Sequence, residues 1–209
     1  MNNYILTSII LSCSLLIIAF TYGISSKQIQ SNNLSKWFII YLGFILGIEI
    51  ITISSIYILE IETTQYFYPF YVTGEFFILI SFFLTELKAN KKWQIITRLI
   101  ACYIFIETTI LWFMKNDASI GYAKIISHLT IICLLAMLLI KNLKNLEKNN
   151  PLSIIYTTLF LYYGVSLFLF LLMNQLTAMN INIWIINNIL SSILYGSSIY
   201  TFYKLRKWS

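Results

Sequence analysis

Residues 4–24 read YILTSIILSCSLLIIAFTYGI, and none of these 21 side chains is charged. A transmembrane α-helix needs about 20 mostly apolar residues to cross about 30 Å of hydrocarbon. A strand of a membrane barrel needs only about 9–11 residues, in which polar and apolar side chains alternate. Because residues 4–24 form a longer run without alternation, they predict a transmembrane helix.

Six further windows of this kind follow. Together the seven windows are about 4–24, 36–59, 68–87, 95–114, 120–141, 151–174 and 180–203. The only two prolines, Pro69 and Pro151, fall at the starts of the third and sixth windows, where a missing N–H group costs nothing. Gly43 and Gly47 in the second window predict a close approach to another helix of the bundle. The sequence therefore predicts one transmembrane domain over 1–209, an all-α bundle of seven helices.

The overall composition excludes the other broad classes. The chain is 59% hydrophobic and only 11% charged, with a mean hydropathy of +0.79. A soluble domain carries about 25% charged residues. A disordered chain, a collagen-like chain and a soluble globule are therefore excluded, and an integral membrane protein remains.

Basic residues are distributed unevenly between the two sides of this bundle. Twelve of the 14 lie on one side: Lys27, Lys36, Lys88, Lys91, Lys92, Arg98, Lys141, Lys144, Lys148, Lys204, Arg206 and Lys207. Because basic loops stay cytoplasmic, the N-terminus is predicted outside and the C-terminus inside, in a bacterial inner (cytoplasmic) membrane. Contacts with anionic headgroups of the lipid bilayer account for the net charge of +6, so no nucleic-acid partner is expected.

Four ionisable side chains lie inside the windows: Glu49, Glu75, Glu107 and His128. Each costs at least about 2.5–3.5 kcal/mol to place at the bilayer centre, so each needs an explanation. Counted from the outer ends of their windows at about 1.5 Å per residue, all four lie roughly 10–15 Å below the outer boundary. The sequence therefore predicts that four helices bring these groups to one layer.

Neighbours at helical spacing extend this layer. Tyr71 precedes Glu75 by four residues and Tyr103 precedes Glu107 by four, so each pair shares a helix face. The last window adds a polar stripe of Trp184, Asn188, Ser191, Tyr195 and Ser198. Such a stripe faces protein or a water-filled cavity rather than lipid.

Two interpretations of the layer remain open. The functional one is a polar pocket in the outer half of the bundle that binds a small ligand, a cation or a proton. Its candidate residues are Glu49, Tyr71, Glu75, Tyr103, Glu107, His128 and Asn188. The structural one is a set of buried hydrogen bonds that lock the bundle. Another group of aromatic residues is predicted to anchor the helices in interfacial belts: Trp93, Trp112, Tyr156, Tyr162, Tyr163 and Trp208.

Other kinds of site find little support in the sequence. The chain has one histidine and no H-E-x-x-H pattern, so neither a metal nor a cofactor is expected. Cys13, Cys102 and Cys133 lie inside windows without C-x-x-C spacing, which favours packing roles. No serine lies in G-x-S-x-G and glycine-rich phosphate loops are absent, so no catalytic residue is assigned.

Four segments form an aromatic-rich pattern: FYVTGEF at 70–76, NPL at 150–152, LYYG at 161–164 and WIINNIL at 184–190. They resemble segments of small seven-helix membrane proteins of the flavobacterial kind. Glu49 also has a counterpart there, whereas Ser153, Ile154 and Ser191 depart from the pattern. The resemblance implies no assigned activity. It implies partners or input modules of signalling proteins such as sensor kinases, and it marks positions Tyr71, Glu75, Trp184 and Asn187.

Three functional hypotheses follow. The first is a non-enzymatic sensory or signal-transducing protein whose basic loop, with Lys88, Lys91 and Lys92, contacts a cytoplasmic or membrane signalling partner. The second is a small proton-coupled transporter in which Glu49, Glu75 and Glu107 carry protons. The third is a membrane-embedded hydrolase that uses Glu107 and His128 as general acid and base, which requires the two within about 2.6–3.2 Å.

Overall fold

The computed structural model describes residues 3–60, 63–115, 117–144, 151–173 and 181–207, without the side chains of Tyr57, Met173 and Ile181. The predicted ends of the last two windows, at 174 and 180, lie outside these ranges. So do Lys148, assigned above to the basic side, and Trp208, assigned to an interfacial belt.

The described residues form eight α-helices, one 3-10 turn and no strand, which confirms the all-α prediction. The helices are α1 (Asn3–Ser25), α2 (Lys27–Ser31), α3 (Asn33–Tyr57), α4 (Tyr68–Glu86), α5 (Lys91–Lys115), α6 (Ala123–Lys144), α7 (Leu152–Met173) and α8 (Ile181–Lys207), and the 3-10 turn is Gln65–Phe67. We call the end of the bundle at which α1 begins the upper end and the opposite end the lower end.

Six of the described helices are long and apolar enough to cross a membrane: α1, α3, α4 with the turn before it, α5, α6 and α7. The chain is therefore a multi-pass membrane protein by the length and composition of its helices. The seventh predicted window corresponds to α8, which is not among the six. Its asparagine and serine residues make α8 more polar than the others.

Two helices begin where local contacts, rather than hydropathy, set their limits. The connection before α3 contains the short helix α2, and the Asn32 side chain accepts a hydrogen bond of 3.0 Å from the Leu34 N–H at the start of α3. Helix α6 begins at Ala123, three residues after the predicted start, because residues 117–122 fold back along α5. The N-terminal end of α6 therefore lies beside the side of α5 rather than beside its end.

Aromatic rings fill the lower half of the core. Phe38 of α3 contacts Phe82 of α4 at 6.2 Å and Phe202 of α8 at 6.1 Å between ring centroids. Phe82 in turn lies 5.8 Å from the ring of Tyr156 on α7. Since lipid tails are as apolar as these side chains, close packing and interhelical hydrogen bonds hold such a bundle together. These contacts join α3, α4, α7 and α8.

Glycines allow α3 to approach its neighbours closely. A Cβ atom added to Gly23 of α1 would lie 2.9 Å from Cγ1 of Ile39, and one added to Gly43 of α3 would lie 2.6 Å from Cε2 of Phe20. A Cβ atom at Gly74 of α4 would overlap the ring of Phe44. The packing of α1 and α4 against α3 therefore depends on the absence of these side chains.

Candidate functional site

Glu75 lies in the interior of the bundle, at the point where α3, α4 and α7 meet. Its side chain is 2% exposed. The Tyr163 hydroxyl of α7 donates to Glu75 Oε1 at 2.7 Å, and the Tyr71 hydroxyl lies 3.5 Å from the same oxygen. The Tyr41 hydroxyl of α3 lies 3.4 Å from that of Tyr163. We call Glu75, Tyr41, Tyr71 and Tyr163 the Glu75 cluster.

Helix geometry explains one half of this cluster. Tyr71 and Glu75 are four residues apart on α4, so their side chains share a face. Tyr163 reaches Glu75 from α7 across the interior of the bundle, and Tyr156, seven residues earlier on the same face, contacts the ring of Phe82 in the same way. The two tyrosines of α7 therefore line the interior of the bundle.

The assignment of three tyrosines to interfacial belts is wrong. Tyr156 and Tyr163 are fully buried and Tyr162 is nearly so. Because they face α3, α4 and α8 instead of the lipid boundary, they belong to the core. Their spacing of seven residues, which is typical of one helix face, is the sequence signal that points to this placement.

A second set of hydroxyls extends from the Glu75 cluster toward α8. The rings of Tyr162 and Tyr163 pack edge to face, 5.1 Å apart. The Tyr162 hydroxyl neighbours those of Tyr71 and Ser191. Tyr162 and Tyr195 are each electrostatic neighbours of both Glu75 and Glu49. These two tyrosines therefore lie near both carboxyl groups.

His128 of α6 borders the Glu75 cluster through an aromatic contact. Its side chain is 3% exposed, and its ring packs edge to face on Tyr163 at 5.0 Å. Nε2 lies 3.4 Å from the Ser166 hydroxyl, where the donor depends on the tautomer. Nδ1 has the Lys124 backbone as a neighbour one turn earlier but makes no hydrogen bond of ordinary geometry among the described residues. His128 is thus a buried imidazole with one nitrogen unsatisfied by the described chain.

Lys124 approaches the same region from the upper end of α6. Its ammonium lies 4.9 Å from the centroid of the Phe170 ring, a cation–π distance. It is an electrostatic neighbour of Glu75 without forming a salt bridge with it. A positive charge therefore lies near the buried carboxyl group.

Glu107 has a different set of partners. Its Oε1 accepts the backbone N–H of Tyr122 at 2.9 Å, immediately before α6 begins. A Cβ atom on Gly121 would lie 2.8 Å from that oxygen, so the loop fits tightly over the carboxyl group. Tyr103, its predicted neighbour, is 46% exposed on the side of α5. Glu107 therefore holds the start of α6, a position that acidic groups favour.

Glu49 and Asn188 also lie apart from the Glu75 cluster. The Glu49 side chain is exposed on α3, where Cys13 of α1 and Tyr195 of α8 are its neighbours. Asn188 donates to the Ser8 hydroxyl at 3.1 Å and joins α8 to α1. The predicted layer thus divides into a core around Glu75 and His128, a cap at Glu107 and Tyr103, and two separate positions.

The three lysines of the predicted partner surface lie together at the lower end. All three are exposed: Lys88 follows α4 with a left-handed φ of 52°, and Lys91 and Lys92 open α5. Beside them, the Lys141 ammonium donates to the Glu86 carbonyl at 2.9 Å and satisfies the last turn of α4. We call Lys88, Lys91 and Lys92 the lysine edge.

Two findings limit the chemistry that this arrangement can perform. Glu107 and His128, the acid–base pair that the hydrolase hypothesis requires, hydrogen-bond to different partners. Within the described ranges, no group of three or more His, Cys, Asp or Glu side chains is placed to hold a metal ion. The core contains a carboxyl group that contacts two phenols, and one of these, Tyr163, also contacts a third phenol and an imidazole. Comparison of the chain with protein-family models, curated proteins and solved structures gives no match.

Proposed function

We propose that the chain is a seven-helix sensory or signal-transducing membrane protein in which the Glu75 cluster responds to a proton or a small polar ligand. The supporting observation is one buried carboxyl group that contacts hydroxyls from α4 and α7, the second of which also contacts a hydroxyl from α3. A carboxylate only accepts hydrogen bonds, whereas a carboxylic acid also donates one. A change of proton or ligand at Glu75 therefore changes the bonds that join α4 to α7 and α3.

The packing of α8 supports a seventh crossing. Asn188 contacts Ser8, and Phe202 approaches Gly23, so the two helices run parallel over 14 residues of α8 and 15 of α1. At about 1.5 Å per residue, this shared length is roughly 21 Å. Since α1 is apolar enough to span a membrane, a helix beside it over this length crosses too.

Polar residues of α8 face other helices, which makes such a crossing compatible with its composition. Asn188 bonds to Ser8, and the Ser197 hydroxyl lies 2.9 Å from that of Thr158 on α7. Three further serines, Ser191, Ser192 and Ser198, bond to carbonyl groups one turn earlier in α8 itself. Hydrogen-bonded side chains of this kind are common between membrane helices.

Seven crossings and the basic residues together give an orientation. The lower end carries Lys27, the lysine edge and the end of α8 with Lys204, Arg206 and Lys207. We assign this end to the cytoplasm by the positive-inside rule. The upper end, with the start of α4 above Glu75, then faces outward in a bacterial inner membrane.

The lysine edge is the proposed output surface. Two lysines in the first turn of a helix oppose its dipole, at a cost of about 0.3–1 kcal/mol each, so α5 gains nothing from them locally. Headgroups or an acidic partner surface supply the compensating interaction. The relation to flavobacterial seven-helix proteins, which stays a prediction, favours a signalling partner such as a sensor kinase.

Glu75→Gln tests whether the Glu75 cluster responds to protons, and Glu107→Gln is the matched control. In nanodiscs, the infrared carboxyl band of the wild type should change with pH. We expect Glu75→Gln to lose that component and Glu107→Gln to keep it. A pH response that is identical in the wild type and Glu75→Gln would contradict the proposal.

Recovery of partners from native membranes in mild detergent tests the role of the lysine edge. We expect the triple variant Lys88→Gln, Lys91→Gln, Lys92→Gln to recover less of a co-purifying partner than the wild type. The double variant Lys204→Gln, Lys207→Gln removes charge from the same end of the bundle and serves as the control. Equal recovery from all three proteins, or no partner from any of them, would remove the lysine edge from the proposal.

A proton-coupled transporter is the second candidate, because Tyr162 and Tyr195 neighbour both Glu75 and the exposed Glu49. Carboxyl groups inside a membrane mark proton pathways, and hydroxyls near both of them could take part in such a pathway. In proteoliposomes with an internal pH-sensitive dye, a transporter would move protons, and Glu49→Gln and Glu75→Gln would each stop the flux. With a sensor, the proton flux into the liposomes would equal that of liposomes without protein.

A further inference from the structure

A cavity of about 290 Å³ opens at the lower end of the bundle, well away from the Glu75 cluster. It lies where α1 ends, α2 begins and α8 ends. Its lining residues are Tyr22, Ser25, Ser26, Lys27, Gln28 and Arg206. Ligand pockets commonly measure roughly 300–1,000 Å³, so this cavity suits a small group rather than a large cofactor.

The cavity carries positive charge that no acidic side chain in the described part of the chain neutralises. Lys27 and Arg206 both line it, and neither makes an ion pair with another described residue. Helices α1, α2 and α8 contain no aspartate or glutamate at all. Glu49 of α3 lies 16 residues beyond the start of its helix, about 24 Å away along the axis. Among the acidic residues that the structure describes, Glu86 also lies near this end, and it neighbours Lys88 and Lys141.

The walls of the cavity are fixed by close packing. Gly23 of α1 lies against Ile39 and Phe202, which sets the distance between α1, α3 and α8 just above the cavity. The Gln30 side chain bonds to the Ile24 carbonyl and holds the bend between α1 and α2. The Ser26 hydroxyl, at the start of α2, makes no capping bond. Lys27 and Arg206, both exposed, therefore line the cavity together with the uncapped hydroxyl of Ser26.

We propose that this cavity binds a phosphate group, carried either by an anionic phospholipid or by a small soluble phosphate. Arginine binds phosphate through two parallel N–H bonds and lysine as a point charge, and both are present here. The cavity lies at the end of α1 and includes Tyr22, a residue type that favours the level of the headgroups. This inference does not depend on the sensing role of Glu75, so each can fail without the other.

The first test measures phospholipid retained by the purified full-length protein. Native mass spectrometry compares the wild type, Lys27→Gln/Arg206→Gln, and the control Arg98→Gln/Lys144→Gln, which loses the same charge near the same end but lies outside both the cavity and the lysine edge. With phosphatidylglycerol as the probe, we expect the Lys27/Arg206 variant to bind about tenfold more weakly and the control to match the wild type. Equal binding by the two variants would overturn the proposal.

The second test separates the two sources of phosphate. Thermal unfolding in detergent is measured with added phosphatidylglycerol, phosphatidylcholine or inorganic phosphate. A rise in Tm with phosphatidylglycerol alone assigns the site to an anionic lipid, and a rise with inorganic phosphate assigns it to a soluble phosphate. A rise with phosphatidylcholine equal to that with phosphatidylglycerol, or no rise with any probe, would refute the site. If the double variant does not fold, Arg206→Lys keeps the charge and should still lose most of the Tm rise.

Discussion

At the scale of single residues, the Tyr163 hydroxyl is the direct link between α7 and the buried carboxyl group of α4. Tyr163→Phe removes this donor and leaves Glu75 with the longer Tyr71 contact. Interhelical hydrogen bonds in membranes contribute about 0.6 kcal/mol on average and up to about 1.7 kcal/mol. We expect a loss near the upper value, because the acceptor is buried.

Unfolding of the variant in a mixed-micelle titration with a denaturing detergent measures this loss. Tyr41→Phe, whose hydroxyl lies 3.4 Å from that of Tyr163 and does not reach the carboxyl group, is the control and should cost less. In a double-mutant cycle with Glu75→Gln, the effect of Tyr163→Phe should shrink. Additive losses would show that the two side chains do not interact.

The same residues show how far sequence can predict a site. Tyr71 and Glu75 lie on one helix, so their spacing alone predicts their shared face. The partner from α7 depends on how two helices rotate against each other, which spacing within either helix does not specify. Glu107 bonds to a backbone N–H in a loop, and hydropathy carries no information about how that loop folds.

At the scale of the helix, Gly43 and Gly47 form a matched pair on α3. A Cβ atom at Gly43 would lie 2.6 Å from the Phe20 ring of α1, whereas one at Gly47 would have no neighbour within 4 Å. We expect Gly43→Ala to destabilise the bundle by about 1–3 kcal/mol through overpacking. Gly47→Ala should be neutral or stabilising by up to about 1 kcal/mol, since alanine favours helix. Equal shifts in the unfolding midpoint would contradict the described packing of α1 on α3.

The start of α6 depends on a side chain from α5. Glu107→Ala would leave the Tyr122 N–H without its acceptor, and loss of such a cap costs about 0.5–2 kcal/mol. Glu107→Gln keeps the accepting oxygen and is the control. Hydrogen exchange measured by mass spectrometry should become faster in residues 117–123 of the alanine variant alone. Unchanged exchange would mean that the loop is held by other contacts, such as the Gln65 side chain on the Ala118 N–H.

At the scale of the whole molecule, the number of crossings determines which sides the two ends of the chain face. Seven crossings place a tag before α1 and a tag after α8 on opposite sides of the membrane, and six place them on the same side. In right-side-out vesicles, protease should remove the N-terminal tag and leave the C-terminal tag intact. Removal of both tags, or of neither, would exclude the seventh crossing and with it the proposed orientation.

Sequence hydropathy predicted the all-α bundle correctly because each long apolar run is a local property. Whether α8 crosses the membrane depends instead on its contacts in the assembled molecule. Its asparagines and serines lower its hydropathy, yet Asn188 and Ser197 bond to neighbouring helices. A residue scale that treats every asparagine alike does not distinguish one that faces lipid from one that faces a partner.

The parallel pairing of α1 and α8 has a consequence for biosynthesis. The bond between Ser8 and Asn188 joins residues 180 positions apart. Helix α1 leaves the ribosome first, and it cannot form this bond until α8 has been synthesised. Until then, Ser8 and Gly23 of α1 contact lipid or the insertion machinery instead of α8. The pairing of α1 with α8 therefore forms late, after insertion of α8. Chains stalled before residue 181 should be the ones that quality-control proteases recognise.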